Sequence, residues 1–283
     1  MGIFLPSDAS PQEARDCLHE EIAQALGPLN DIYRLGDSVF NDDNINTVLT
    51  PFDMLILRVY YDPALKNGMS REEVAAELPS ILKRLNPKGE TVRPDGLEPS
   101  PREWIDRIER ALGPGAGPAQ RLHQARLATR IARDAGWMDN RLGFSLFAQG
   151  RLALGVDSAL AAESFARAYN VYSELYGTDN IHTAHVALQL AAFALSGGRP
   201  EVALRHVDES IPSVLRAENA ALLATLLMIK AEALEARGRD EEAASVRLDS
   251  LGWARYGFAS DEEIRARLRE IAGLRPRKKE PEA

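Results

Sequence analysis

Hydrophobic and polar positions in this chain alternate with helical rather than strand period, most clearly from about Ala119 onward. Ser10-Pro11-Gln12-Glu13 supplies a capping serine, a proline suited to a first turn and a glutamate that closes a capping box. A helix is therefore expected from there to about Leu26, ended by Gly27-Pro28. Residues 29–50 read as loop, with Asn41-Asp42-Asp43-Asn44 serving turns and caps. Pro51 opens a second helix to about Tyr61, with Leu55 and Val59 facing a core, and Asp62-Pro63 breaks it. A third helix starts at Met69-Ser70-Arg71-Glu72-Glu73 and runs to about Leu85. Over 87–118 the pattern gives way to Pro87, Pro94, Pro99, Pro101, Pro114 and Pro118 with several glycines, which predicts a linker interrupted by one short helix around Arg102–Leu112.

The second half repeats itself. Gly155, Gly198 and Gly238 close successive helices at spacings of 43 and 40, and Ala162, Ala203 and Ala243 start their partners at spacings of 41 and 40. Small alanines let two helices approach closely, and glycine turns the corner between them. Trp253, Tyr256 and Phe258 are expected to pack as a cap on the last repeat, and Ser260-Asp261-Glu262-Glu263 starts a final helix within 260–273. Tyr176-Gly177-Thr178-Asp179-Asn180-Ile181-His182-Thr183-Ala184 resembles the loop and helix start of the long tetratricopeptide units of kinesin light chains. Residues 119–255 thus read as an α-α superhelix of about three tetratricopeptide-like hairpins. With the capping helix the repeat domain spans 119–273, followed by a charged tail over 274–283.

Candidate chemistry is concentrated in the first helix. Glu20 and Gln24 stand one turn apart on it, with Glu21 beside them. That is the spacing of a zinc-peptidase helix, in which two histidines flank a general-base glutamate. The stretch resembles the extended metzincin pattern H-E-x-x-H-x-x-G-x-x-H, read here as Glu20, Glu21, Gln24, Gly27 and Asn30. The base and the glycine match, and all three ligands are replaced. Ser38-Val39-Phe40 resembles the turn that carries a methionine beneath the metal, with Phe40 in methionine's place. Phe52-Asp53-Met54-Leu55 through Tyr61 resembles the closing helix of that fold. The fold class expected is therefore mainly α: a short helical remnant of a zincin-like domain over 1–86, then the repeat stack.

The Glu-Glu-x-x-Gln helix followed by Phe52-Asp53-Met54-Leu55 and by Leu65 with Gly68-Met69-Ser70 resembles the bacterial domain-of-unknown-function family 2927. That resemblance implies no established activity. Fewer than twenty residues precede Glu20, where a zincin-like domain keeps its β-sheet, so a truncated start is one expectation. The chain as given reads as cytoplasmic; an exported protein or lipoprotein is the expectation if an upstream segment belongs to it.

Charge narrows the partners. Residues 1–118 carry 20 acidic against 12 basic side chains, while 119–283 carry 22 of each, so the net charge of −8 belongs to the first part. An acidic balance without a basic recognition helix argues against nucleic acid. No apolar run is long enough to span a membrane. Gly113-Pro114-Gly115-Ala116-Gly117 is proline-broken and is no phosphate-binding loop. Cys17, the single cysteine, reads as a small packing residue. The function these features point to is a non-enzymatic interaction or scaffold protein. Its repeat stack would hold a protein or peptide on the concave face through Asn140, Asn180, His182, Gln189, Asn219 and Lys230. It would need no cofactor. The alternative is a metal-dependent hydrolase of peptidase type, with Glu21 as base and a divalent ion on Glu20, Gln24 and Asn30 or Asp31.

Overall fold

A computed structural model describes residues 2–30, 32–41, 43, 45–92 and 96–276. Asp31, Asp42, Asn44, Pro94 and positions 277–283 of the charged tail, which figure in the readings above, lie outside the described residues. Among the described residues the chain is helical, with twelve α-helices and no strand. In order these are α1 (Pro11–Ala25), α2 (Pro51–Tyr60), α3 (Arg71–Leu85), α4 (Arg102–Leu112), α5 (Pro118–Asp134) and α6 (Asn140–Ala153). They continue as α7 (Ser158–Tyr176), α8 (Ile181–Ser196), α9 (Pro200–Arg216), α10 (Ala220–Ala236), α11 (Asp240–Gly257) and α12 (Asp261–Ala272). A short 3-10 segment follows α3 at Pro87–Thr91. The residues form two compact units: Met1–Phe4 with Asp16–Ser100, and Leu5–Arg15 with Pro101–Ala283.

In the first unit, Ala23, Val39 and Phe40 form a small core, with Leu35, Leu49, Ile56 and Leu57 packed on it. Helix α2 begins with a capping box in which Thr50 Oγ1 accepts from Asp53 N, and α3 begins with the same device at Ser70 and Glu73. Gly27 ends the first helix with φ 140°, and a Cβ there would lie 2.3 Å from the Tyr60 ring. Both the turn and the close approach thus require glycine. Beside it the Tyr61 hydroxyl donates to Leu26 O at 2.8 Å. Arg84 donates to buried Asp62 Oδ2 at 2.6 Å, which ties α3 to the turn after α2 and, with Ala64 N, holds the Asp62 carboxyl below its ordinary range.

In the second unit, consecutive helices pair: α4 with α5, α6 with α7, α8 with α9, and α10 with α11, while α12 lies on α10 and α11. Gly155, Gly198 and Gly238, at φ 77°, 67° and 72°, turn the corner inside three of these pairs. Ala203 and Ala243 are fully buried. On α6 two further glycines admit large rings from α7: a Cβ at Gly143 would lie 2.5 Å from Tyr172, and one at Gly150 2.7 Å from Phe165.

Helix α4, expected within a linker, belongs to this core. Trp104, Ile108 and Ala111 are buried, and Trp104 Nε1 donates to Ser145 Oγ of α6 at 3.0 Å. The second compact unit therefore includes Arg102–Leu112, which the sequence reading places inside the linker. The helix expected there carries a short, regular apolar stripe of Trp104, Ile108 and Ala111. At the other end, Trp253 and Tyr256 remain 43% and 41% exposed, and α12 covers the stack instead through Ile264 and Ile271.

The same unit includes residues 5–15. Gln12 is buried, and its amide donates to Asn219 Oδ1 at 3.0 Å while accepting from Ala221 N at 2.8 Å. Arg15 reaches Glu218 twice, at its carboxylate (3.3 Å) and its carbonyl (3.1 Å). Glu218 has φ 54°, the left-handed conformation that the other repeat turns give to glycine.

Candidate functional site

Helix α1 sets Glu20 and Gln24 one turn apart, as the motif demands, with Glu21 half-buried next to Glu20. Asn30 is exposed in the following loop. His19 faces the loop before α2, where its Nδ1 accepts from Leu49 N at 3.4 Å. Burial, then the charges of Glu21 and Glu20, push the Cys17 thiol above its ordinary pKa, opposite to what a nucleophilic thiolate needs. Among the described residues no three His, Cys, Asp or Glu side chains stand close enough together to hold a metal. One carboxylate and two carboxamides are the donors left, and zinc prefers nitrogen and sulfur. The residues present do not fit a zinc centre.

Beneath this helix the turn expected to lie under the metal is built on Asp53. That side chain is fully buried and accepts from Ser38 Oγ (2.5 Å), Val39 N (3.1 Å) and Thr50 N (2.8 Å). Ser38 Oγ in turn accepts from Phe40 N at 3.0 Å. A buried carboxylate surrounded by donors is satisfied, and it locks the turn that places Val39 and Phe40 in the core. Phe40 is packing material, 3% exposed.

A different kind of site lies on the second unit. The first helices of successive pairs, α6, α8 and α10, together with α12, enclose a groove of about 220 Å³. Its apolar lining comes from Leu154, Leu188, Phe193, Ile229, Ile271 and Leu274, and Gln189, Thr225, Arg267 and Glu270 stand among them. Arg151, one turn before Leu154 on α6, has its guanidinium 5.9 Å from the Phe147 ring. Partial desolvation, then the charges of Arg267 and Arg121, lower its pKa. His185 follows the same face of α8: its buried Nε2 has no hydrogen-bond partner among the described residues, and its ring meets Phe147 edge-on at 6.4 Å. Burial is the main reason its pKa falls to about 3, so the imidazole is neutral at neutral pH.

Residues 1–80 match the model of a family described as "Protein of unknown function (DUF2927)". The matched stretch contains Glu20, Glu21, Gln24, the 38–40 turn and Asp53, and ends before α4. No curated protein and no solved structure matches the chain.

Of the six residues expected to meet a partner, Gln189 alone lines the groove. Asn180 and Asn219 are helix caps, accepting from His182 N at 2.9 Å and Leu222 N at 3.0 Å. Asn140 and His182 are each 2% exposed, and the His182 ring packs against Tyr172 and Tyr176. Lys230 pairs with Asp208 at 2.6 Å. Asparagine at the start of a helix is accounted for by capping at Asn180 and Asn219. Arg267, which no sequence motif singles out, also lines the groove. Arg151 and Leu154 form a visible one-turn pair, but nothing local tells that α12 folds back beside them.

Proposed function

We propose that this protein is a non-enzymatic interaction protein. In this reading the pairs from α4 onward are a tetratricopeptide-like stack that holds a protein or peptide along the α6–α8–α10–α12 face. The first unit is then a metallopeptidase-like module whose ligand positions have lost their histidines. The observation that carries the reading is the groove itself, an apolar recess shared by four helices with polar and charged groups at its edge. Stacked helical pairs bind by such continuous faces, because each repeat adds equivalent positions to one surface.

The test uses the full chain with a photo-crosslinking amino acid placed at Leu154, in the groove, or at Leu248, which is 71% exposed on α11. A partner captured from position 154 and not from 248 is the expected result. Capture from 248 alone, or equally from both, contradicts a groove-borne interaction.

A further inference from the structure

We propose that α12 and the Arg275 that follows it form a strap across the α8–α10 face, which opens and closes as one piece with Arg275 as its latch. Opening is a property of the chain alone and needs no partner. From the end of α11 the segment runs over α10 and lends Arg267, Glu270, Ile271 and Leu274 to one wall of the groove. It reaches the α8–α9 turn, where Pro276 lies 3.8 Å from the place a Cβ on Gly198 would take. Ile264 and Ile271 are the side chains that α12 buries, whereas α10 is buried along most of its length. Little apolar area therefore holds the strap down. Segments with few buried contacts open locally at a lower free energy than the core beneath them.

The strap carries its own helix signals. Ser260 Oγ accepts from Glu263 N at 3.2 Å, and the Glu263 carboxylate accepts from Ala259 N at 2.8 Å, so the cap is made within the segment. Asp261, Glu262 and Glu263 fill the first turn and Arg269 stands in the last, as the helix dipole favours. Arg267 pairs with Glu270 of the same helix at 2.8 Å. All of these contacts travel with α12 when it lifts.

The latch is a cluster of four charges. Arg247 of α11 places Nη2 2.9 Å from Glu232 Oε1 and 2.7 Å from Glu235 Oε1, both on α10. Arg275 places Nε 2.7 Å from Glu232 Oε2 and Nη1 2.8 Å from Glu235 Oε2. Arg247 is the firmer partner. It donates a hydrogen bond to Glu232 Oε1, whereas Oε2 accepts none from Arg275. Its hydrogen bond is also the chief reason that the Glu235 carboxyl lies below the ordinary range. Glu232 is buried, and leaving a buried charge without a partner is costly. Because Arg247 stays in place, withdrawal of Arg275 strands no carboxylate. Two arginines on the same two carboxylates thus make a contact that holds the closed state and can be given up reversibly.

The experiment is amide hydrogen exchange of the full chain under native conditions, read by mass spectrometry on peptides from α12, α10 and α6. Helix α12 is expected to exchange faster than α10, by local opening. Arg275→Gln should speed α12 by about fivefold, the scale of one partly exposed ion pair, and leave α10 and α6 as they are. Arg265→Gln, which removes an exposed charge from α12 outside the cluster, should change none of the three. Protection of α12 equal to that of α10, with both moved together by Arg275→Gln, would overturn the strap and make α12 part of the cooperative core. Fast exchange of α12 that Arg275→Gln leaves unchanged would overturn the latch.

Discussion

The Gln12 carboxamide donates to Asn219 Oδ1 at 3.0 Å although the two residues are 207 positions apart. The same carboxamide accepts from Ala221 N, so both of its polar atoms are spent on the turn that opens α10. Asn219 meanwhile caps α10 through Leu222 N, which makes one oxygen serve a local cap and a distant segment.

Gln12→Leu strands the Ala221 amide in a part-buried place and removes one donor from Asn219. The expected loss is about 2 kcal/mol, the cost of an unsatisfied buried group. Urea unfolding of the full chain, read as a shift in midpoint at unchanged slope, checks it. A shift close to zero would mean that residues 5–15 contribute nothing to the unit.

Asp53→Asn keeps the size of the side chain and exchanges an acceptor for a donor. Ser38 Oγ, Val39 N and Thr50 N all need an acceptor there, so about 2 kcal/mol or more should be lost. Amide hydrogen exchange at Val39 should accelerate in the variant. Protection equal to the parent chain would show that the turn holds without Asp53.

Glycine at two helical positions should respond with opposite signs. Gly150→Ala drives a Cβ to 2.7 Å from the Phe165 ring in a closed interface, and overpacking of that kind costs about 1–3 kcal/mol. Gly252→Ala, with nothing within 4 Å of the new methyl, should stabilise α11 by about 0.5–1 kcal/mol through helix propensity. Thermal midpoints of the two variants moving the same way would contradict the packing described.

Lowering the pH should weaken the second unit through His185. Its pKa is about 3 when folded, against about 6.5 in an unfolded chain. Between those values the unfolded state binds a proton that the native state refuses. The stability gained by keeping the ring neutral is therefore complete above about pH 6.5 and is lost as the pH falls toward 3. From about pH 7 to pH 5 the parent chain should lose about 2 kcal/mol more than His185→Leu. Carboxylates such as Glu235, held low chiefly by its hydrogen bond with Arg247, enter only at lower pH. Identical pH profiles would mean that the ring is solvated.

Much of the fold was legible because its determinants are local. Ser10 with Glu13 and Ser70 with Glu73 form the capping boxes that their spacing announces, and Gly155, Gly198 and Gly238 lie in the turns that their period marks. The rest depends on distant partners. Trp104 is an unremarkable residue among prolines until Ser145 and Trp137 surround it. Gln12 looked like part of a helix start, and its true partner lies beyond two hundred residues of intervening chain. The groove was less legible still: polar residues at helix starts drew attention as contacts, whereas Arg267 and Ile271 reach the groove only because α12 packs back on α10.

The most direct test of the central claim is methyl NMR of the full chain titrated with a leucine-rich heptapeptide. The account predicts shifts at Leu154, Leu188, Ile229, Ile271 and Leu274, all lining the groove, with Leu248 on α11 and Ile81 in the first unit unmoved. Shifts centred on Leu248 or on Ile81, or a spectrum unchanged at saturating peptide, would contradict it.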